Sequence, residues 1–123
     1  MIYSIGIDLI ETDRVKKALE KWGDSFVDKI LTPEEKKIFD TKEIKAPFLA
    51  GRFACKEAVI KALGEFLTER VPFRRIEILN DRYGKPVVSL DKTVLEKVPG
   101  KKIMISLTHE RTMASAVAIL TGE

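Results

Sequence analysis

The order of patterns along the chain predicts an α+β fold, with a long central helix packed on a small, mostly antiparallel sheet. Three observations carry this. Strand-like alternation opens the chain at residues 2 to 10, helix signals fill most of residues 12 to 66, and alternation returns between residues 75 and 120. With 123 residues and no internal repeat, low-complexity tract or linker, residues 1–123 are expected to form one domain.

The elements follow in order. Residues 2 to 10 place Tyr3, Ile5, Ile7 and Leu9 on one face and Ser4, Gly6 and Asp8 on the other, a face small enough to leave room for a ligand. Thr12 is expected to cap a helix that carries Val15, Ala18, Leu19 and Trp22 and stops at Gly23. Phe26 to Leu31 reads as a further helical turn or two. Thr32-Pro33-Glu34-Glu35 then announces another helix with cap, N-terminal proline and capping-box glutamate. From about Pro47 to Phe66 one long helix is expected, with Ala50, Ala54, Ala58 and Ala62 forming a stripe that allows another element to approach closely. Residues 75 to 80 and 86 to 90 form a hairpin around Asp81-Arg82-Tyr83-Gly84. Lys101 to Thr108 and Met113 to Leu120 supply the last two strands.

Composition excludes several classes of protein. The 22 Lys and Arg against 19 Asp and Glu leave a net charge of only +3, too little to imply nucleic acid. One cysteine, Cys55, rules out an internal disulfide or a multi-cysteine zinc site, and its apolar surroundings suggest a buried, inert thiol. Without a leader-like N-terminus or an apolar run of membrane-spanning length, a soluble cytoplasmic protein is expected.

The chemistry concentrates in GRFACKEAVIKALG, residues 51 to 64. Phe53, Glu57, Lys61 and Gly64 fall along one stripe of the helix, and Glu57 with Lys61 has the spacing of an ordinary surface ion pair. Asp8 changes that reading, because a carboxylate in an apolar strand needs a partner. If Asp8 and Glu57 converge, they make a hard oxygen ligand set suited to Mg²⁺, with Lys61 adding a point charge for phosphates. His109 in ISLTHE is either an exposed turn histidine or a donor to substrate. Arg52 projects about 140° around the helix from Glu57, so it is a surface arginine, a structural pair with the sheet, or a contact to a ligand that wraps the helix or enters between subunits.

Taken in order, IGIDLIETDRV, ILTPEE, FLAGRFACKEAVIKALG, IEILNDRYGKPVV and ISLTHE resemble the holo-[acyl-carrier-protein] synthase family almost end to end. The resemblance implies Mg²⁺-dependent transfer of 4′-phosphopantetheine from coenzyme A to a serine of apo acyl carrier protein, releasing adenosine 3′,5′-bisphosphate, in fatty acid biosynthesis. It implies that Asp8 and Glu57 hold the metal and that Lys61 lies near the phosphates. Arg52, Gly64, Ser106 and His109 match segments that line the coenzyme site. It further implies a homotrimer with active sites between subunits, a use for the alanine stripe and for Arg52, and a carrier-protein docking helix presenting Arg14, Lys17 and Lys21. One departure stands out: Gly64 is followed by Glu65-Phe66 where the family usually has Thr-Gly, so the helix is expected to run on and reshape that loop.

The acceptor of the serine proton is left open between Glu57 and an acid of the carrier protein. Two alternatives compete with the transferase. One is a Mg²⁺-dependent nucleotide or pyrophosphate hydrolase using the same carboxylates. The other is an RNA-binding module, suggested by the aromatic and basic GRFAC but opposed by its helical setting.

Overall fold

The computed structural model describes all 123 residues. Strand β1 (Ile2–Glu11) leads into helices α1 (Thr12–Trp22), α2 (Asp24–Ile30), α3 (Pro33–Asp40) and α4 (Lys45–Leu63). Then come β2 (Ile76–Asn80), β3 (Pro86–Leu90), the short α5 (Lys92–Leu95), β4 (Lys101–His109) and β5 (Met113–Gly122). The fold is α+β, and its strands form two antiparallel sheets: β1-β5-β4, and the hairpin β2-β3, which lies beside β4.

Local chemistry accounts for the helix boundaries. The Thr32 hydroxyl accepts from the Glu35 amide while the Glu35 carboxylate accepts from the Thr32 amide, a complete capping box with Pro33 behind it. Gly23 ends α1 at φ 53°, a backbone angle that side-chain-bearing residues avoid. Thr12 does not cap α1. It is already helical, Glu11 takes the cap position without a side-chain bond, and the Thr12 amide donates to the Thr112 carbonyl instead. The long helix begins at Lys45 and ends at Leu63, two residues earlier at its start than expected. Gly64–Phe66 tightens into a 3-10 turn, so the α-helix does not run on through Glu65-Phe66.

The alanine stripe admits another element closely, as expected, but that element belongs to its own chain rather than to a neighbouring subunit. Ala50, Ala54, Ala58 and Ala62 are all fully buried, and α4 packs on β1 and β5 of its own chain, where Ala114, Ala116 and Ala118 meet it. Small residues on both sides bring helix and sheet close together. At Gly6 the approach is to the backbone: a Cβ there would sit 2.0 Å from the Ala58 carbonyl oxygen and 2.6 Å from the Ala62 nitrogen. The space that Ser4 and Gly6 were expected to leave for a ligand is therefore filled, at Gly6, by the helix.

This packing fixes which face of β1 is inward. Gly6 is buried, whereas Ile5, Ile7 and Leu9 stand exposed on the opposite face. The pairings Ile5↔Ile119↔Met104 and Ile7↔Val117↔Ser106 continue that outer face across the three-stranded sheet.

Under the helices lies a buried ionic cluster. The Lys56 ammonium donates to Glu35 Oε1 at 2.6 Å, to the Ile30 carbonyl at 2.6 Å and to the Phe73 carbonyl at 3.1 Å. Glu35 Oε2 accepts from the Ile78 amide at 2.8 Å. Both side chains are completely buried. Burial lowers the Lys56 pKa, with Glu35 opposing the shift. The pair ties α3, α4 and β2 together, and removing one partner of such a pair typically costs about 3–5 kcal/mol because the other charge is left buried alone.

Candidate active site

Asp8 and Glu57 line one open cavity of about 380 Å³, with Arg14, Val15, Ala18, Phe26 and Phe53 among its other walls. Strand β1 delivers Asp8 two residues beyond the Gly6 contact, and α4 delivers Glu57 next to the anchored Lys56. Both carboxylates are mostly shielded, with 16% and 19% of their side-chain surface exposed.

Each acid has its own cation. Lys61 Nζ lies 3.2 Å from Asp8 Oδ1 and also donates to the Ile7 carbonyl at 2.9 Å. Glu57 Oε1 is met by Arg70 Nη2 at 2.5 Å. The surface pair between Glu57 and Lys61 that their spacing suggested does not form, since Lys61 turns to the strand. Arg70 was missed by sequence reasoning. It lies in the segment after the 3-10 turn, thirteen positions from Glu57, where no periodicity links the two residues.

The remaining candidates divide. Arg52 is buried, donates to Asn80 Oδ1 at 2.9 Å and lies over the Phe48 ring at 4.5 Å, with its Nε left without a hydrogen-bond partner. Burial lowers its pKa, while Glu35, at 3.9 Å, counters the shift. Arg52 and His109 share a second cavity of about 290 Å³ with Lys42, Asn80 and Leu107, which has no lining residue in common with the first. Gly64 is exposed at the end of α4, and Ser106 is exposed on the outer face of β4. Neither is brought to either cavity.

On α1, Arg14 reaches the first cavity, Lys17 pairs with Asp13 at 3.0 Å and Lys21 lies 4.9 Å from the Trp22 ring centre. Cys55 is fully buried, and burial pushes its thiol up to about 11, so it remains protonated and inert.

Two carboxylates line one cavity, each already paired with a cationic side chain, and their oxygens are the hard donors that Mg²⁺ takes. No group of three or more His, Cys, Asp or Glu side chains gathers anywhere in the chain. A cation held here would fill its remaining positions from substrate and water, the usual habit of Mg²⁺.

Comparison with known proteins identifies the family. Residues 4–114 match the model of the 4′-phosphopantetheinyl transferase superfamily. The chain is 42% identical over 123 residues to the holo-[acyl-carrier-protein] synthase of Maridesulfovibrio salexigens, with 98% of each chain covered. Its structure is similar to that of the Neisseria meningitidis enzyme of the same name, with TM-score 0.89 and 33% identity, covering 98% of this chain and 99% of that one. It is also similar to the Bacillus anthracis synthase solved in complex with CoA (3′,5′-ADP), with TM-score 0.84, 34% identity and coverage of 100% and 99%. The fold and site thus define a phosphopantetheinyl transferase, and the chain belongs to the holo-[acyl-carrier-protein] synthase family. The hydrolase and RNA-binding alternatives fall away with that membership.

Proposed function

We propose that this chain transfers 4′-phosphopantetheine from coenzyme A to a serine of apo acyl carrier protein in a Mg²⁺-dependent reaction. Adenosine 3′,5′-bisphosphate is released, and the role is in fatty acid biosynthesis in the cytoplasm. The observation that carries this reading is the convergence of Asp8 and Glu57 on one cavity that also contains Arg14. Asp8 and Glu57 would hold the Mg²⁺, which when bound would offset charge on the pyrophosphate and the leaving nucleotide. Lys61, held beside Asp8 and half-exposed, would supply a positive charge to phosphate oxygens brought to that carboxylate. Phe53, Phe26 and Val15 give the cavity an apolar wall that limits water around the reacting groups.

Arg14 links the cavity to α1, whose Lys17 and Lys21 extend a basic surface. A surface of this sign suits an acidic carrier protein and would steer its approach in a salt-dependent way.

The second cavity supports a homotrimer with shared sites. Arg52 and His109 stand apart from the two carboxylates within one chain, yet a neighbour could bring its own pair to complete the coenzyme site. Arg52, in the wall of this second cavity with its Nη2 bonded to Asn80, adds positive charge to it. The outer sheet face, with exposed Ile5, Ile7, Leu9 and Met104, offers the apolar surface such an assembly would cover. Gly64 and Ser106, the latter on that outer face, are proposed to approach the coenzyme only in the assembled molecule.

Mass spectrometry of apo acyl carrier protein incubated with the enzyme, coenzyme A and Mg²⁺ tests the assignment. A gain of one phosphopantetheine on the serine is expected. Asp8→Ala and Glu57→Ala should each lower the rate by roughly a hundredfold or more while the circular dichroism spectrum is retained. Full activity in either variant would remove the metal assignment.

A further inference from the structure

We propose that Arg70 is a positioning residue of the cation site, competing with a divalent metal ion for Glu57 and so setting how tightly the site holds metal. The inference rests on Glu57 being a metal ligand. Three features support it. Arg70 Nη2 contacts Glu57 Oε1 at 2.5 Å, so a guanidinium already occupies one of the oxygens a cation would use. Its position is guided: the guanidinium carbon lies 5.6 Å from the Phe73 ring centre, and Phe73 meets Phe53, a wall residue of the carboxylate cavity, edge-on at 5.2 Å. Yet the Arg70 side chain is 62% exposed against 19% for Glu57, so the arginine can withdraw into water without unpacking the core.

The electrostatics favour displacement over coexistence. Asp8 with Lys61 and Glu57 with Arg70 make two neutral pairs. A divalent ion reaching the acids, on Oε1 or on the other Glu57 oxygen, would stand within a few ångströms of a full positive charge and be repelled by it. Arg70 leaving Glu57 relieves that repulsion. Its strength is that of a surface pair, so Arg70 adjusts occupancy without blocking it.

Mn²⁺ alone, titrated into the full chain at low ionic strength and followed by electron paramagnetic resonance, tests the proposal without substrate or turnover. Arg70→Gln should tighten Mn²⁺ binding roughly two- to fivefold, the range an exposed ion pair commands, and Arg70→Lys should stay near the parent. Glu57→Gln should weaken it. Unchanged or weaker binding in Arg70→Gln, alongside weakened binding in Glu57→Gln, overturns the role of Arg70 and leaves Glu57 as ligand. Unchanged binding in Glu57→Gln instead overturns the metal assignment on which the inference stands.

Discussion

Glu57 and Lys61 stand one turn apart on α4, yet each pairs off the helix: Lys61 with Asp8, Glu57 with Arg70. Spacing singled out both residues as needing partners, because charged side chains on an otherwise apolar helix require them. It could not name those partners, which arrive from a strand 53 positions away and from a segment with no regular pattern. Lys56 was likewise invisible as a buried charge, since its three acceptors come from three separate stretches of chain. Gly6 shows the same limit, for its smallness could be read but not what fills the space beside it. Gly6→Ala would drive a methyl group against the Ala58 carbonyl. It should destabilise by about 3 kcal/mol or more, the upper end for overpacking, because backbone cannot step aside as a side chain can. Chemical denaturation checks this, and a midpoint within error of the parent would contradict the close approach of β1 and α4.

Elements announced by periodicity were legible to within two or three residues at their ends, though the Thr12 cap was not borne out. The capping box opens α3 where its four residues place it, and the β2-β3 hairpin turns through Asp81 and Gly84, with the Asp81 side chain accepting from the Tyr83 and Lys85 amides. Which face of β1 turns inward was less legible, because alternation is symmetric and the apolar face is the outer one. The short α5 had no periodicity to show, and its cap is what defines it. Asp91 accepts from the Thr93 hydroxyl at 2.8 Å and the Val94 amide at 3.1 Å, with Arg75 at 3.7 Å. Partial desolvation alone would raise the Asp91 pKa, but those donors and Arg75 together hold it below the ordinary 3.8. A depressed carboxylate stabilises the fold above its unfolded pKa and loses that contribution as pH falls through the folded value. Asp91→Ala should therefore cost about 1 kcal/mol near neutral pH, as for other lost caps, and the difference from the parent should shrink below pH 3.8. Urea melts at neutral and acid pH measure both. A difference that stays constant with pH would contradict a charged cap.

For the molecule as a whole, the outer sheet face and the divided cavities ask for the same thing. Burying Ile5, Ile7 or Leu9 side chains would contribute roughly 1.5–3 kcal/mol each, so their exposure in a single chain is costly unless neighbours cover them. Ile7→Lys should shift the proposed trimer toward monomer in sedimentation velocity, with transfer activity falling as sites lose their second half. A variant that sediments as the parent does would locate the interface elsewhere.

The buried Lys56 has an effect beyond holding elements together. Adjacent residues on a helix differ in direction by about 100°, so the rotation of α4 that seats the ammonium among Glu35, Ile30 and Phe73 also dictates where Glu57 points. The pair acts as a rotational key: the helix has one azimuth at which the hidden charge is satisfied, and at that azimuth its neighbour faces the cavity. A sequence that exchanged Glu35 and Lys56 for well-packed apolar residues would keep the packing and give up the index that aims Glu57 at the cavity.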